Sequence, residues 1–243
     1  MNQQLSTSKK PKSLLITGTD TDAGKTVLTA ALAAYWQRVY PHQPLGIIKP
    51  IQSGTGDNLL YQRLFDLDQS SAEINPVQFQ APLAPPIAAA KENRTVDLAL
   101  AWRTFTALQE RSSLVLVEAL GGLGSPVTAE TTVADLARDW SLPAVLVVPV
   151  KLGSIGQAVA NSALAREAVG ANHPSPLRGI ILNCIHPLSD SEINDLTPVD
   201  LIQSLTNIPV CGILPHLNDP TDIQQLANAA ANLNLETFLP GIR

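Results

Sequence analysis

Several features are scarce in this chain, and each shortage excludes something. Aromatic residues make up only 4% of the 243 residues, so the core has to be built from Leu, Ile, Val and Ala. Charged residues reach 15% against 45% hydrophobic, which excludes a disordered or highly charged chain. Basic residues are in deficit, with a net charge of −5, so no basic stripe is available to replace the counterions of a nucleic acid. The two cysteines, Cys184 and Cys211, each lie in an apolar stretch without CxxC spacing, as expected of buried reduced thiols. The four histidines, His42, His173, His186 and His216, are scattered through loops, and there is no HExxH, no Cys–His arrangement and no internal repeat. The longest strongly apolar run, Pro143 to Val150, is too short to span a bilayer. Residues 1–12 lack the apolar segment of a signal peptide, and are expected to be a polar tail before one domain over 13–243. Together these features predict a soluble, cytoplasmic, single-domain protein.

What is present centres on Ser13 to Val27, SLLITGTDTDAGKTV. A strand over Ser13–Thr17 runs into a polar turn that ends in Gly24-Lys25-Thr26 and opens a helix over Lys25–Tyr40. That layout is a P-loop: loop N–H groups and the helix N-terminus gather on an anion, Lys25 serves the terminal phosphates and Thr26 is placed for Mg²⁺. The usual spacing would put glycine where Thr19 stands, and Gly18 comes one residue earlier.

Further strands are expected over Leu45–Pro50, Ser113–Glu118, Pro143–Lys151, Arg178–Ile185 and Pro209–Leu214. Helices are expected over Asn58–Phe65, Asp97–Arg111, Thr131–Trp140, Gln157–Val169 and Thr221–Leu233. The four prolines of Asn75–Ile87 predict an extended covering loop with no internal helix, and Lys151–Gly156 a turn. Strands alternating with helices give an α/β fold, a mostly parallel sheet with helices on both faces.

In such a sheet, ligands gather beyond the carboxyl ends of the strands. Lys49, Glu118 and Asn183 all fall there, as do Asp57 and the 151–156 turn. Thr26, Asp57 and Glu118 supply hard oxygens suited to Mg²⁺. Lys25 and Lys49 bring two cations to a transferring phosphoryl group. Asn183 suits either the edge of a purine or the cap of the following turn.

The landmarks GTDTDAGKT (18–26), KPIQSG (49–54), Asp57, VEALGG (117–122), VPVKLGSIGQ (148–157), LNCIHP (182–187) and GILPHL (212–217) together resemble the dethiobiotin synthetases of biotin biosynthesis. The resemblance covers nearly the whole chain after residue 12 and implies a single-domain P-loop NTPase-like fold. It implies a substrate, 7,8-diaminopelargonate, of which one amine takes up CO₂. ATP then phosphorylates the carbamate, and the second amine closes the ring. By the same resemblance Lys49 is the catalytic lysine, assisted by Lys25, and Thr26, Asp57 and Glu118 bind Mg²⁺. The nucleotide lies against Asp22, Ala23, Gly24, Lys25, Thr26, Val27, Asp57, Glu118, Ala119, Leu120 and Gly121, with Asn183, Cys184, Pro215, His216 and Leu217 toward the base. Thr21 and Ser53 hold the substrate. The implied assembly is a homodimer in which Leu152, Gly153, Ser154 and Ile155 of one subunit reach the substrate of the other. The family commonly has Glu-Gly-Ala-Gly-Gly where this chain has Glu118-Ala119-Leu120-Gly121-Gly122, so the backbone is less free at two positions.

The rival class is a partition or positioning ATPase of the deviant-P-loop group. Its signature lysine is replaced here by Asp20, and the stretch Asn228–Arg243 has one basic residue where a membrane-positioning helix needs many.

Overall fold

The structure, a computed structural model, describes residues 12–54, 57–170 and 175–239, with the side chains of all of these but 12, 57 and 58. Residues 1–11, His173 and Arg243 lie outside the described residues. In chain order the elements begin with β1 (Lys12–Gly18), α1 (Lys25–Val39), β2 (Leu45–Ile48), β3 (Ile51–Ser53), α2 (Asp57–Leu64), α3 (Ser71–Ile74) and β4 (Val77–Phe79). They continue with α4 (Pro85–Lys91), α5 (Leu98–Arg111), β5 (Leu114–Gly122), α6 (Val133–Asp139), β6 (Ala144–Pro149) and α7 (Ser154–Val169). The last are β7 (Leu177–Asn183), α8 (Asp190–Leu196), α9 (Val199–Thr206), β8 (Val210–Leu214), α10 (Ile223–Ala231) and α11 (Leu235–Phe238).

Six strands form one sheet in the order β2-β5-β1-β6-β7-β8, and every neighbouring pair is parallel. A parallel sheet is covered on both faces, which is why β5 and β6 read as near-continuous apolar runs. Alternate residues face opposite sides. Leu14, Ile16 and Leu116 join Leu28, Leu32 and Trp36 of α1 and Leu226 of α10 in one core cluster. Leu15, Val115 and Val117 join Phe105 of α5, Ala134 of α6, Ala158 of α7 and Ile202 of α9 in the other. Cys184 and Cys211 are buried free thiols, and burial pushes both up in pKa, which keeps them protonated and inert.

All carboxyl ends of the strands lie on one edge, and the register decides what meets there. Ile16 of β1 pairs with Glu118 of β5, and Gly18 with Gly122, so the P-loop leaves the sheet directly beside Glu118.

Three expectations need correction. The Pro-rich stretch is not wholly extended: Pro85 and Pro86 open α4, because the first helical positions need no N–H donor. The same stretch contributes β4, which pairs with β3 in a second, two-stranded parallel sheet. The turn after β6 is shorter than Lys151–Gly156, since Gly153, at φ +92°, ends it and α7 starts at Ser154. Helices α8 and α9 fall where none was predicted, although a capping box, Ser189 with Glu192, announces the first.

Candidate active site

The P-loop is folded tightly on its own backbone. A Cβ on Gly18 would lie 2.8 Å from Ala23 Cβ and 2.9 Å from Asp20 O, so only glycine lets the loop turn back there. Gly24 caps α1 with φ +96° and no side-chain bond, which leaves the N–H groups of the first turn facing the loop. Lys25 is buried and its Nζ donates to Asp20 O and Thr21 O, each at 2.8 Å. Burial lowers its pKa and the Lys49 charge lowers it further, against the Glu118 carboxylate, which raises it. Asn183, at the end of β7, donates from Nδ2 to Ala23 O at 2.9 Å and so ties the loop to the far half of the sheet. Lys151 pairs with Asp20 at 3.2 Å on the outer side of the loop.

Glu118 is the hub of the site. It is fully buried, and a buried carboxylate requires partners. Thr26 donates to its Oε1 at 3.0 Å, Lys49 Nζ stands 3.2 Å from the same oxygen, and the Tyr61 hydroxyl donates to Oε2. Strand β5, helices α1 and α2 and the end of β2 thus converge on one carboxylate. The side chain of Asp57 lies outside the described residues; its backbone opens α2.

Beside Lys49 a cavity of about 390 Å³ opens. Thr21, Lys49, Gln52, Ser53 and Ser125 form its polar part, and Pro82 to Pro85 with Leu120 and Pro126 its apolar part. Ser53 Oγ is buried and has no hydrogen-bond partner among the described residues. The covering loop expected of the Pro-rich stretch is one wall of this cavity.

The remaining predicted residues are more spread out. In the loop, Asp22 is exposed, Ala23 buried, and Val27 packs against the core. Ala119 is buried, Leu120 is half-buried, and Gly121 stands so close to Ser125 that a Cβ would lie 2.3 Å from its Oγ. Cys184 N donates to Leu214 O, which brings Asn183 beside Pro215 and His216; Leu217 packs on the core. Leu152, Gly153, Ser154 and Ile155 do not line the cavity of their own chain. Leu152 is 90% exposed, whereas the Ser154 hydroxyl is buried and donates to Pro149 O.

A family model described as an AAA domain matches residues 12–224. The ATP-dependent dethiobiotin synthetase BioD of Gloeothece citriformis is 56% identical over 228 residues, 93% of this chain and 98% of that protein. The protein of the same name from Crocosphaera subtropica is 52% identical over 223 residues, 92% of this chain and 97% of that one. The chain belongs to the dethiobiotin synthetase family.

Solved structures with a similar fold include a ParA family ATPase from Chlorobium tepidum, with a TM-score of 0.55 at 14% identity, covering 95% of this chain and 96% of that one. The MinD cell division protein of Aquifex aeolicus has a TM-score of 0.53 at 14% identity, covering 90% and 95%. This likeness is one of fold alone, whereas the dethiobiotin synthetases match in sequence as well, at 56% and 52% identity. Sequence reasoning missed three parts of the site in this family member. Tyr61 sits in a stretch whose pattern says only helix, and its carboxylate partner is 57 residues away. Gln52 and Asn75 come together only through the β3–β4 pair. Lys151 stood within a recognised motif, yet its Asp20 partner lies 131 residues away in sequence.

Proposed function

We propose that this chain is an ATP-dependent dethiobiotin synthetase, closing the cyclic urea of dethiobiotin from 7,8-diaminopelargonate and CO₂. The observation that carries the proposal is the Lys49–Glu118–Thr26 cluster, which sits between the phosphate loop and a cavity with one polar and one apolar part. The apolar part, Pro82 to Pro85 and Leu120, suits the methylene chain of the substrate, and the polar part suits the carbamate formed on one of its amines.

One amine adds to CO₂, loses a proton and becomes a carbamate. A carbamate oxygen then attacks the γ-phosphorus of ATP, and the bond to the bridging oxygen breaks to release ADP. The second amine attacks the carbamoyl carbon of the mixed anhydride, loses a proton and expels phosphate. Two anions must meet in the second step, so cationic groups carry most of the catalysis. Lys49 is the cation facing the cavity, and Lys25 is the cation within the loop.

Thr26 Oγ1 and Glu118 Oε1, 3.0 Å apart at the helix opening, are hard oxygens of the type Mg²⁺ takes, and they fit an ion that keeps most of its waters. Among the described residues no group of three or more His, Cys, Asp and Glu is placed to hold a metal. Those two residues, with Asp57, would hold it; bound there, Mg²⁺ would offset phosphate charge. Asn183, Cys184 and the Pro215–Leu217 segment would face the base.

The exposure of Leu152 supports a homodimer in which the turn from Leu152 to Ile155 serves the neighbouring subunit's substrate. Among the described residues no helix is long and apolar enough to cross a membrane. The acidic net charge favours small-molecule substrates over nucleic acid.

A coupled assay of ADP release tests the activity. The purified protein should release ADP in a manner that depends on both diaminopelargonate and bicarbonate. No rise above the substrate-free rate would overturn the reading.

A further inference from the structure

Gln52 lines the cavity beside Lys49 and is only 4% exposed. Which end of its amide meets the substrate is settled by a neighbour. Asn75 Nδ2 lies 3.3 Å from the Lys49 carbonyl oxygen and 2.9 Å from the Gln52 amide. The atom of Asn75 that meets a backbone carbonyl has to be the donor, since oxygen against oxygen would repel. The same NH₂ group then donates to Gln52, so the Gln52 atom it meets is Oε1. This leaves Gln52 Nε2 on the other side, where no described residue bonds to it and where it is not fully buried. It therefore opens to the cavity as a group that can donate and cannot accept.

The rest of the polar part sharpens what such a donor recognises. Lys49 carries a positive charge into the same cavity and Ser53 Oγ is a buried hydroxyl without a partner among the described residues. A protonated amine would be repelled by Lys49 and offered no acceptor by Gln52. An anionic oxygen would be welcomed by both.

We propose that Gln52 positions the carbamate: its Nε2–H, fixed by Asn75, donates to a carbamate oxygen while Lys49 faces the group being phosphorylated. This rests on the synthetase activity proposed above and adds a residue to it. Gln52 acts in forming and holding the carbamate, before phosphate is transferred. Asn75 is a positioning residue, acting through Gln52 and through the Lys49 carbonyl that it also meets.

The test follows carbamate formation without ATP. Protein, diaminopelargonate and ¹³C-bicarbonate are mixed, and the carbamate carbon is observed by NMR; steady-state KM values for bicarbonate and for the diamine are measured in parallel. The native protein should give the carbamate signal. Gln52→Met, similar in size and without a donor, should raise the bicarbonate KM at least about tenfold, the factor that 1.4 kcal/mol makes. It should weaken the carbamate signal to match and leave the diamine KM within about twofold, the loss being confined to one charge-assisted hydrogen bond.

Asn75→Asp should do the same with Gln52 intact, because a carboxylate cannot donate and turns the Gln52 oxygen toward the cavity. That outcome is one that a merely structural Gln52 would not produce. Gln52→Ala serves if the methionine variant fails to fold. A native carbamate signal that persists unchanged in Gln52→Met or Gln52→Ala, with an unchanged bicarbonate KM, would overturn the role of Gln52 and leave the synthetase reading intact. A native protein that shows neither carbamate nor turnover would overturn both.

Discussion

Lys49 Nζ and Glu118 Oε1 stand 3.2 Å apart, and the same carboxylate oxygen accepts from Thr26 at 3.0 Å. The lysine facing the cavity and the threonine opening the P-loop helix are thus joined through one buried oxygen. Groups proposed for phosphoryl transfer and for metal binding are held in register by the strand that carries Glu118, before any substrate is considered.

Removing the amine should therefore separate chemistry from binding. Lys49→Ala should lower kcat by about a hundredfold to a thousandfold, the usual loss when one donor to a developing negative charge is deleted. Nucleotide affinity should change little, since Lys25 and the loop backbone remain. Turnover from ADP release, set against a nucleotide Kd from titration calorimetry, checks both halves. Near-native turnover would remove Lys49 from the chemistry.

Tyr61 offers a second handle on the same carboxylate. Its ring is fully buried and its hydroxyl donates to Glu118 Oε2. Tyr61→Phe keeps the ring and deletes one hydrogen bond to a charged acceptor, which costs about 1.5–3 kcal/mol. Urea denaturation should show that loss as a lower midpoint with an unchanged slope. A variant as stable as the native protein would mean that Glu118 does not depend on Tyr61.

The site was legible where chemistry is local in sequence and obscure where it is not. Lys25 and Thr26 are parted from a strand only by one short loop, and β5 announces Glu118 by a run of apolar residues ending in an acid. Lys49 was placed correctly at the end of β2 because a parallel sheet collects strand ends on one edge. Strands β3 and β4 have three residues each, too few for any period to show, and through them Gln52 meets Asn75. Tyr61 looked like one more helical residue, since nothing local tells a tyrosine on the core face from one at the surface. Helix α4 was missed because prolines were read as breakers at positions where they start a helix. Helices α3 and α8 each carry a capping box, at Ser70–Glu73 and Ser189–Glu192, which was there to be read.

Those capping boxes, with a third between Thr132 and Asp135 at the start of α6, make an acid-stability prediction. Backbone N–H bonds, from Ser70 to Glu73, from Thr132 to Asp135 and from Ser189 to Glu192, hold the three carboxyls below their ordinary values. A carboxylate whose pKa is depressed by folding adds stability above its unfolded value, and that stability is lost as pH falls through the folded value. The ordinary values are 4.5 for Glu and 3.8 for Asp. Combined Glu73→Gln, Asp135→Asn and Glu192→Gln should therefore lower stability near neutral pH. The gap from the native protein should close as pH falls from about 5 to about 2.5. Denaturation midpoints across that range measure it; a gap independent of pH would mean the caps do not act through charge.

The closest approach in the loop makes the last prediction. Gly24 has φ +96°, and a Cβ there would lie 2.0 Å from Asn183 Nδ2. Gly24→Ala therefore meets two separate penalties, a left-handed backbone worth about 1–2 kcal/mol and a collision with the side chain that braces the loop. Asn183→Ala removes the brace and leaves Ala23 O without its donor, a loss of about 1–3 kcal/mol. The two changes share one contact, so they should not add. The double variant, with the collision gone, should be more stable than the sum of the single losses predicts, by more than the ~0.5 kcal/mol scatter expected of independent sites. Nucleotide affinity should fall in all three variants, because each disturbs the loop whose N–H groups face the phosphates. Strict additivity in a denaturation cycle would show that the added methyl does not meet Asn183, and an Asn183→Ala variant as stable as the native protein would remove the brace between β7 and the P-loop.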